Sequence, residues 1–347
     1  MIRREFITLL GGAAAWPLVA RAQQQTKPTI GWLDIRPGVP SRDYIDGFRR
    51  GLAEIGFVEG RDVTVEYHTA DGHLERLPSL ADDLVRRRVA VIFANSGDSA
   101  LAAKAATPTI PVVFGAGADP VELGLVASLN RPGGNLTGVA TLTAEIAAKR
   151  LELLHKLLPA ADLIAILSGS ADVNSQAEVR NVQSAARTLG LRLLLFNVTT
   201  DSEIEAAFAT LVERQAGAVL VSGSVQLVPR TDKIISLAGR YALPTMFVYD
   251  SGVREGGLLS YGPVVSEIIR LAGTYTGRIL KGEKPADLRQ IASRSSSMSS
   301  KTAKACSGVH VVGICSGMAN RLILSGAVMT WTFGVDWRVG WLAPVLP

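Results

Sequence analysis

The chain has 347 residues, 48% apolar and 19% charged, which excludes a disordered polyelectrolyte and leaves room for two domains, each with its own core. The formal net charge of +5 comes from the ends: residues 23–285 carry 27 basic and 28 acidic side chains, so no nucleic-acid partner is expected. Both cysteines, Cys306 and Cys315, lie near the C-terminus, so the body can build neither a disulfide framework nor a cysteine metal site.

The first residues form a three-part secretory pattern. Arg3 and Arg4 make a basic start, Phe6 to Val19 an apolar stretch, and Ala20-Arg21-Ala22 a small-residue cleavage site, placing cleavage after Ala22. The apolar part is shorter than the roughly 20 residues a membrane span needs. The arginine pair followed by Phe6 resembles a twin-arginine signal, although Ile2 stands where Ser or Thr often precedes the pair. The most apolar later stretch, Met318 to Val335, is interrupted by Asn320 and Arg321, so a soluble, periplasmic mature protein is expected.

From Thr29 the chain alternates strand and helix. A strand over 29–35 ends at Arg36-Pro37-Gly38. A helix capped by Ser41 follows, with Ile45, Phe48, Leu52 and Ile55 on one face. Strands follow at 63–67, 89–94, 110–114 and 136–141, with helices between the first four. The pattern restarts at Thr143, read as a helix cap. Strands at 163–167, 191–198, 218–221, 244–249 and 258–261 alternate with helices, one of them led by the capping box Thr200-Asp-Ser-Glu203. The final helix spans 267–280.

Continuous apolar strands between amphipathic helices mean parallel sheets covered on both faces. Two such series imply an α/β fold of two Rossmann-like, doubly wound lobes. The first lobe is expected over 23–142, completed by about 252–288, and the second over 143–251. Ligands of such sheets bind beyond the carboxyl ends of the strands. The loops there, 95–99, 115–119, 168–174, 222–226 and 249–252, are rich in Ser, Asn, Asp and Gly. Candidate ligand contacts are Asn95, Ser96, Ser99, Asp119, Thr143, Ser170, Asn174, Ser222, Asp250 and Tyr261. Two readings stand for Asp119: it accepts a ligand ammonium or hydroxyl, or it caps a helix beginning at Pro120.

No catalytic signature accompanies these loops. Gly115-Ala-Gly117 lacks the third glycine of a dinucleotide fingerprint, and no phosphate loop or nucleophile elbow is present. His68, His73, His155 and His310 are scattered without a neighbouring acid or nucleophile pattern. No catalytic residue, metal or cofactor is expected.

Asp119-Pro-Val-Glu-Leu-Gly-Leu-Val126, Leu129-Asn-Arg-Pro-Gly-Gly-Asn-Leu-Thr-Gly138, Lys149-Arg-Leu-Glu-Leu-Leu154, Tyr261-Gly262 and Thr276-Gly-Arg-Ile-Leu-Lys-Gly-Glu-Lys-Pro285 resemble the substrate-binding protein family of ABC transporters. The resemblance covers roughly residues 1–288. It implies a type I periplasmic-binding fold, a hinge of crossing segments, and an amino-acid-like or other small organic solute held between closing lobes. It also implies a membrane permease as partner, with the binding protein acting as a monomer. Asn95, Ser96 and Ser99 match the family's small polar residues after the third strand, and Asp119 its acidic residue in the next loop. The loop Ser168 to Asn174 departs from the Asn- and Pro-rich form of relatives. Gly223 to Gln226 lacks their aromatic residues, which disfavours a large aromatic ligand.

Crossings are expected near 141–144, near 249–254 and after Pro285. Beyond Leu288 the sequence departs from the family although Lys301-Thr-Ala-Lys-Ala305 persists, and a frame change in the coding DNA is the expected cause. A sensory binding module would carry the same features. An enzyme on a doubly wound scaffold is the remaining alternative.

Overall fold

The computed structural model describes residues 27–169 and 172–289, together with the strand segments 291–292, 297–300, 320–324, 327–331 and 337–341. The secretory leader with its cleavage point, and the candidate Ser170, lie outside the described residues.

The first lobe begins with β1 (Thr29–Asp34), α1 (Arg42–Glu54), β2 (Thr64–Thr69), α2 (Leu77–Arg86), β3 (Val91–Ala94), α3 (Gly97–Ala106), β4 (Val112–Ala116) and β5 (Leu136–Ala140). The second contains α4 (Thr143–Leu157), β6 (Leu163–Ser168), α5 (Val173–Leu189), β7 (Arg192–Asn197), α6 (Asp201–Glu213), β8 (Ala218–Val221), α7 (Thr231–Arg240), β9 (Thr245–Phe247), α8 (Asp250–Arg254) and β10 (Leu259–Gly262). Then come α9 (Val265–Leu280), β11 (Ile291–Ala292) and β12 (Ser297–Ser300). A separate antiparallel sheet follows, of β13 (Asn320–Leu324), β14 (Ala327–Trp331) and β15 (Trp337–Trp341).

The first sheet runs β11-β5-β4-β3-β1-β2 and is parallel throughout. The second runs β12-β10-β9-β8-β6-β7, parallel except for β12, which pairs antiparallel with β10. Each therefore gains a sixth, edge strand from just beyond Leu288. In both sheets the order reverses beside the first strand, which opens a crevice at the carboxyl ends. Central strands β3, β5, β6 and β8 are buried at every position, as expected where helices cover both faces.

Trp32, Phe48 and Phe93 pack edge-on or stacked at centroid distances of 4.6 to 5.1 Å in the first lobe. The same cluster takes Val265, Ile269, Ala272 and Ile279 from α9. Thus α9, which follows the last strand of the second sheet, returns to cover the first. Its seat on α1 is made of glycines: a Cβ on Gly51 would lie 2.7 Å from the Thr274 backbone nitrogen and overlap the Arg270 carbonyl, and one on Gly47 would lie 2.9 Å from the Ser266 carbonyl oxygen.

The chain crosses between the sheets at Thr141-Leu142, at Pro263-Val264, and between β11 and β12. The second crossing falls later than the expected 249–254. The reason is that β10 belongs to the second sheet, and α8, within the segment read as a loop, packs on β9 and β10. A short apolar run signals burial on both faces but says nothing about which sheet supplies the neighbour. Local capping follows the sequence in part. Thr200 and Glu203 form the reciprocal box, with Glu203 N–H donating to Thr200 Oγ1 at 3.2 Å and Thr200 N–H to Glu203 Oε2 at 3.0 Å. Ser41 sits at the cap position without a side-chain hydrogen bond. Thr143 is the first residue of α4 rather than its cap. That position belongs to Leu142, whose backbone is left-handed at φ 50°.

Candidate ligand-binding cleft

The carboxyl ends of the two sheets face each other across a cleft of about 710 Å³, open solvent included. From the first lobe, Arg36 follows β1, Tyr44 lies on α1, and Asn95 to Asp98 lead from β3 into α3. From the second, Asp172 and Asn174 open α5, Gly223 and Val225 follow β8, and Tyr249 follows β9. Val265, Ile268 and Ile269 of α9 complete an apolar wall.

Arg36 is anchored rather than free. Its Nε donates to Asp34 Oδ1 at 3.1 Å and one terminal nitrogen donates to Asp34 Oδ2 at 2.6 Å, while the guanidinium stands 4.0 Å over the Tyr44 ring. Burial works against its charge, and Asp34 more than offsets this, leaving its pKa above the ordinary value. Trp32 Nε1 at 3.2 Å and Asn95 Nδ2 at 3.0 Å also donate to the buried Asp34.

Two carboxylates face one another from opposite lobes. Asp98 lies in the first turn of α3, and burial, followed by the charge of Asp172, pushes it up to about 6, against the opposing bond from the Val173 N–H. Asp172 caps α5, accepting from Ser175 N–H at 2.8 Å and Ser175 Oγ at 2.6 Å. Burial raises its carboxyl despite these bonds. Two like charges brought together in a partly dry cleft are costly unless a cation joins them.

The lobes are apposed. A Cβ on Gly97 would lie 2.8 Å from Val173 Cγ2, and one on Gly117 would lie 2.6 Å from Thr143 Oγ1 and overlap Asn174 Oδ1. Val225 packs against the first lobe's core. At the rim Arg254 of α8 pairs with Asp43 of α1 at 3.0 Å.

Of the ten sequence-derived candidates, the structure places Asn95, Ser96 and Asn174 on the cleft wall. Ser99 is wholly buried in α3, where Ser96 Oγ accepts from its N–H at 3.0 Å and its hydroxyl accepts from Ser96 Oγ at 2.8 Å. Asp119 is not among the residues lining the cleft, and it caps no helix: none begins at Pro120, and its Oδ1 accepts from Val121 N–H at 2.7 Å within a turn. Thr143 is buried beneath the cleft, its Oγ1 3.1 Å from Asn174 Oδ1 and 3.3 Å from the Gly117 carbonyl oxygen. Ser222 is buried with no partner for its hydroxyl among the described residues and lines a small cavity behind Tyr249 and Val228. Asp250 pairs with Arg254 at 3.2 Å, and Tyr261 packs against the second lobe's core.

The sequence reading passed over Arg36, Tyr44, Asp98, Asp172 and Tyr249. The strand-end rule pointed to Arg36 and Tyr249, but as turn residues. Tyr44 and Tyr249 bring aromatic surface into the cleft from outside the 223–226 loop, which has none. Among the described residues no group of three or more His, Cys, Asp or Glu could hold a metal ion, and no helix is long and apolar enough to cross a membrane.

Two parallel sheets joined by crossing segments, with a polar cleft between their carboxyl ends, define the type I periplasmic-binding architecture. The family model described as ABC transporter substrate binding protein matches residues 39–309, and the chain belongs to that family; the match runs past Leu288 and includes β11 and β12. The chain is 29% identical over 243 residues to a tyrosine-binding protein of Clostridioides difficile strain R20291, covering 70% of this chain and 69% of that one. It is similar in structure, at 25% identity and a TM-score of 0.68, to an ABC domain from Streptococcus pneumonia in complex with L-Trp, covering 79% of this chain and 91% of that one. It also shares the fold of a ligand-free, open substrate-binding protein with adhesive properties from Clostridium difficile, at 24% identity and a TM-score of 0.55, covering 78% and 91%.

Proposed function

We propose that this chain is the exported, periplasmic solute-binding component of an ABC importer, and that its ligand is an amino-acid-like primary amine with an apolar side group. The observation that carries this reading is the pairing of Asp98 and Asp172 from opposite lobes in a cleft that also presents Tyr44, Tyr249, Val225 and Ile269. A ligand ammonium between the two carboxylates removes the repulsion that closure creates, so it favours the closed state over the open one. The apolar side group then lies against the aliphatic and aromatic wall. Relatives described as binding tyrosine and L-Trp support this class of solute. The leader ending at Ala22 supports export. The closed lobes dock on a membrane permease, and the protein binds without chemical turnover.

A thermal-shift screen of amino acids, sugars and organic acids tests the reading. Ligand at about 100 times its Kd stabilises by about 2.7 kcal/mol. Stabilisation by amino acids with the ligand recovered intact is the expected result; a response confined to sugars or organic acids, or conversion of a hit, overturns it.

A further inference from the structure

Behind the second lobe's side of the cleft lies an ion pair that the proposed binding of the ligand does not use. Arg150 of α4 and Glu178 of α5 are both wholly buried, with a guanidinium nitrogen 3.4 Å from Glu178 Oε2. Arg150 also donates to the Val221 carbonyl, while its Nε has no partner among the described residues. Desolvating two such charges costs several kcal/mol per ion, and apolar residues of the same volume often serve stability as well or better. The pair does, however, touch two cleft residues from behind. Glu178 accepts the Gly223 N–H at 3.3 and 3.2 Å on its two oxygens and the Asn174 Nδ2 at 3.1 Å on Oε1.

We infer that Glu178, paired with Arg150, fixes the Asn174 side chain so that its carbonyl oxygen, and not its amino group, is offered to the seam between the lobes. An ionised carboxylate only accepts, so Asn174 must meet Glu178 with its amino group. The planar amide then turns Oδ1 away, where the Thr143 hydroxyl stands 3.1 Å off and where a Cβ on Gly117 would strike it. With Asp98 and Asp172, this gives the cleft a third acceptor at the point where the lobes meet. The Thr143 hydroxyl takes one lone pair of this oxygen, and a ligand N–H satisfies the other, whereas a group with only lone pairs meets it with repulsion. Sites built to pair a polar group discriminate most strongly in this way. Glu178 and Arg150 are thus positioning residues for specificity.

The groups facing Glu178 are Arg150 from α4, Asp172 and Asn174 from the start of α5, and Gly223 and the Tyr249 hydroxyl from the loops after β8 and β9. Burial, opposed by Arg150, pushes the Glu178 carboxyl up to about 7. The orientation is therefore firm above pH 7 and loosens as pH falls through that value, since a protonated Glu178 can itself donate to Asn174 Oδ1.

The ligand half of this inference rests on the proposed function; the amide orientation does not. In the full chain at pH 8, calorimetry compares an amino acid identified by the screen with its 2-oxo-acid analogue, whose carbonyl oxygen only accepts. Glu178→Gln, whose amide can donate to Asn174 Oδ1 and let it flip, is expected to cut the preference for the amine at least tenfold. Wild-type preference in Glu178→Gln, even with a lowered Tm, marks a merely structural pair and overturns the inference. Should that variant fail to fold, nuclear Overhauser effects in the wild type decide. Contacts from the Asn174 amino protons to the Gly223 amide proton are expected, and contacts from those amino protons to Thr143 instead refute the orientation. A screen that yields no ligand defeats the transport reading, while these contacts still settle the orientation.

Discussion

Gly117→Ala should weaken ligand binding while leaving the open protein intact. Gly117 follows β4 in the first lobe, and its backbone is not among those with positive φ, so alanine is tolerated locally. The added Cβ would lie 2.6 Å from Thr143 Oγ1 and overlap Asn174 Oδ1. Neither yields cheaply: Thr143 is wholly buried, and Asn174 is tied to Glu178 at 3.1 Å. Overpacking of this kind costs about 1–3 kcal/mol. At about 1.4 kcal/mol per tenfold, that is a roughly 5- to 150-fold rise in Kd, provided the clash arises only on closure. Calorimetric titration gives Kd, thermal unfolding without ligand gives the Tm, and small-angle scattering reports the ligand-induced decrease in radius of gyration. The expected result is a weakened Kd, a reduced decrease in radius and an unchanged ligand-free Tm. Wild-type affinity with wild-type compaction would show that the lobes do not close across Gly117.

The remaining expectations concern charge and packing. Asp98, pushed up to about 6, must be ionised to hold an ammonium, so affinity for an amine should be full above pH 6 and fall by up to about tenfold per unit below it. Asp98→Asn should weaken binding at pH 8 and flatten this profile; an unchanged profile counts against the carboxylate pair. Arg254→Ala removes the exposed rim bond to Asp43, a contact of a kind worth about 0.2–1 kcal/mol, and stopped-flow dissociation should quicken by no more than about fivefold, less so at high salt. Acceleration that is independent of salt refutes the ionic account. Gly51→Ala forces α1 from α9 at a cost of about 1–3 kcal/mol, or roughly 3–10 °C in Tm by scanning calorimetry. An unshifted Tm contradicts that close contact.

The alternation of apolar strands and amphipathic helices was legible because buried strands such as Val91–Ala94 and Ala218–Val221 are apolar at each position. The restart near Thr143 marks a real change of sheet. The sheet that takes Leu259–Gly262 was not legible, since pairing is decided by the three-dimensional path rather than by composition. Polar loop residues separated poorly into cleft and scaffold. Ser96 and Ser99 look alike in sequence, yet Ser96 lines the cleft while Ser99 is wholly buried within α3. Asp98 was hidden for a related reason, because an acid in the first turn of a helix is ordinary dipole complementation until a second carboxylate appears opposite it. Arg150 and Glu178 lie within amphipathic helices, where charged residues normally mark the solvent face.

Calorimetric titration of the protein with individual amino acids tests the proposed function most directly. One saturable site per chain for an apolar or aromatic amino acid, with the ligand recovered unchanged, is the expected result. Absence of saturation by any amino acid at millimolar concentration, or appearance of a product, contradicts a binding protein of this kind.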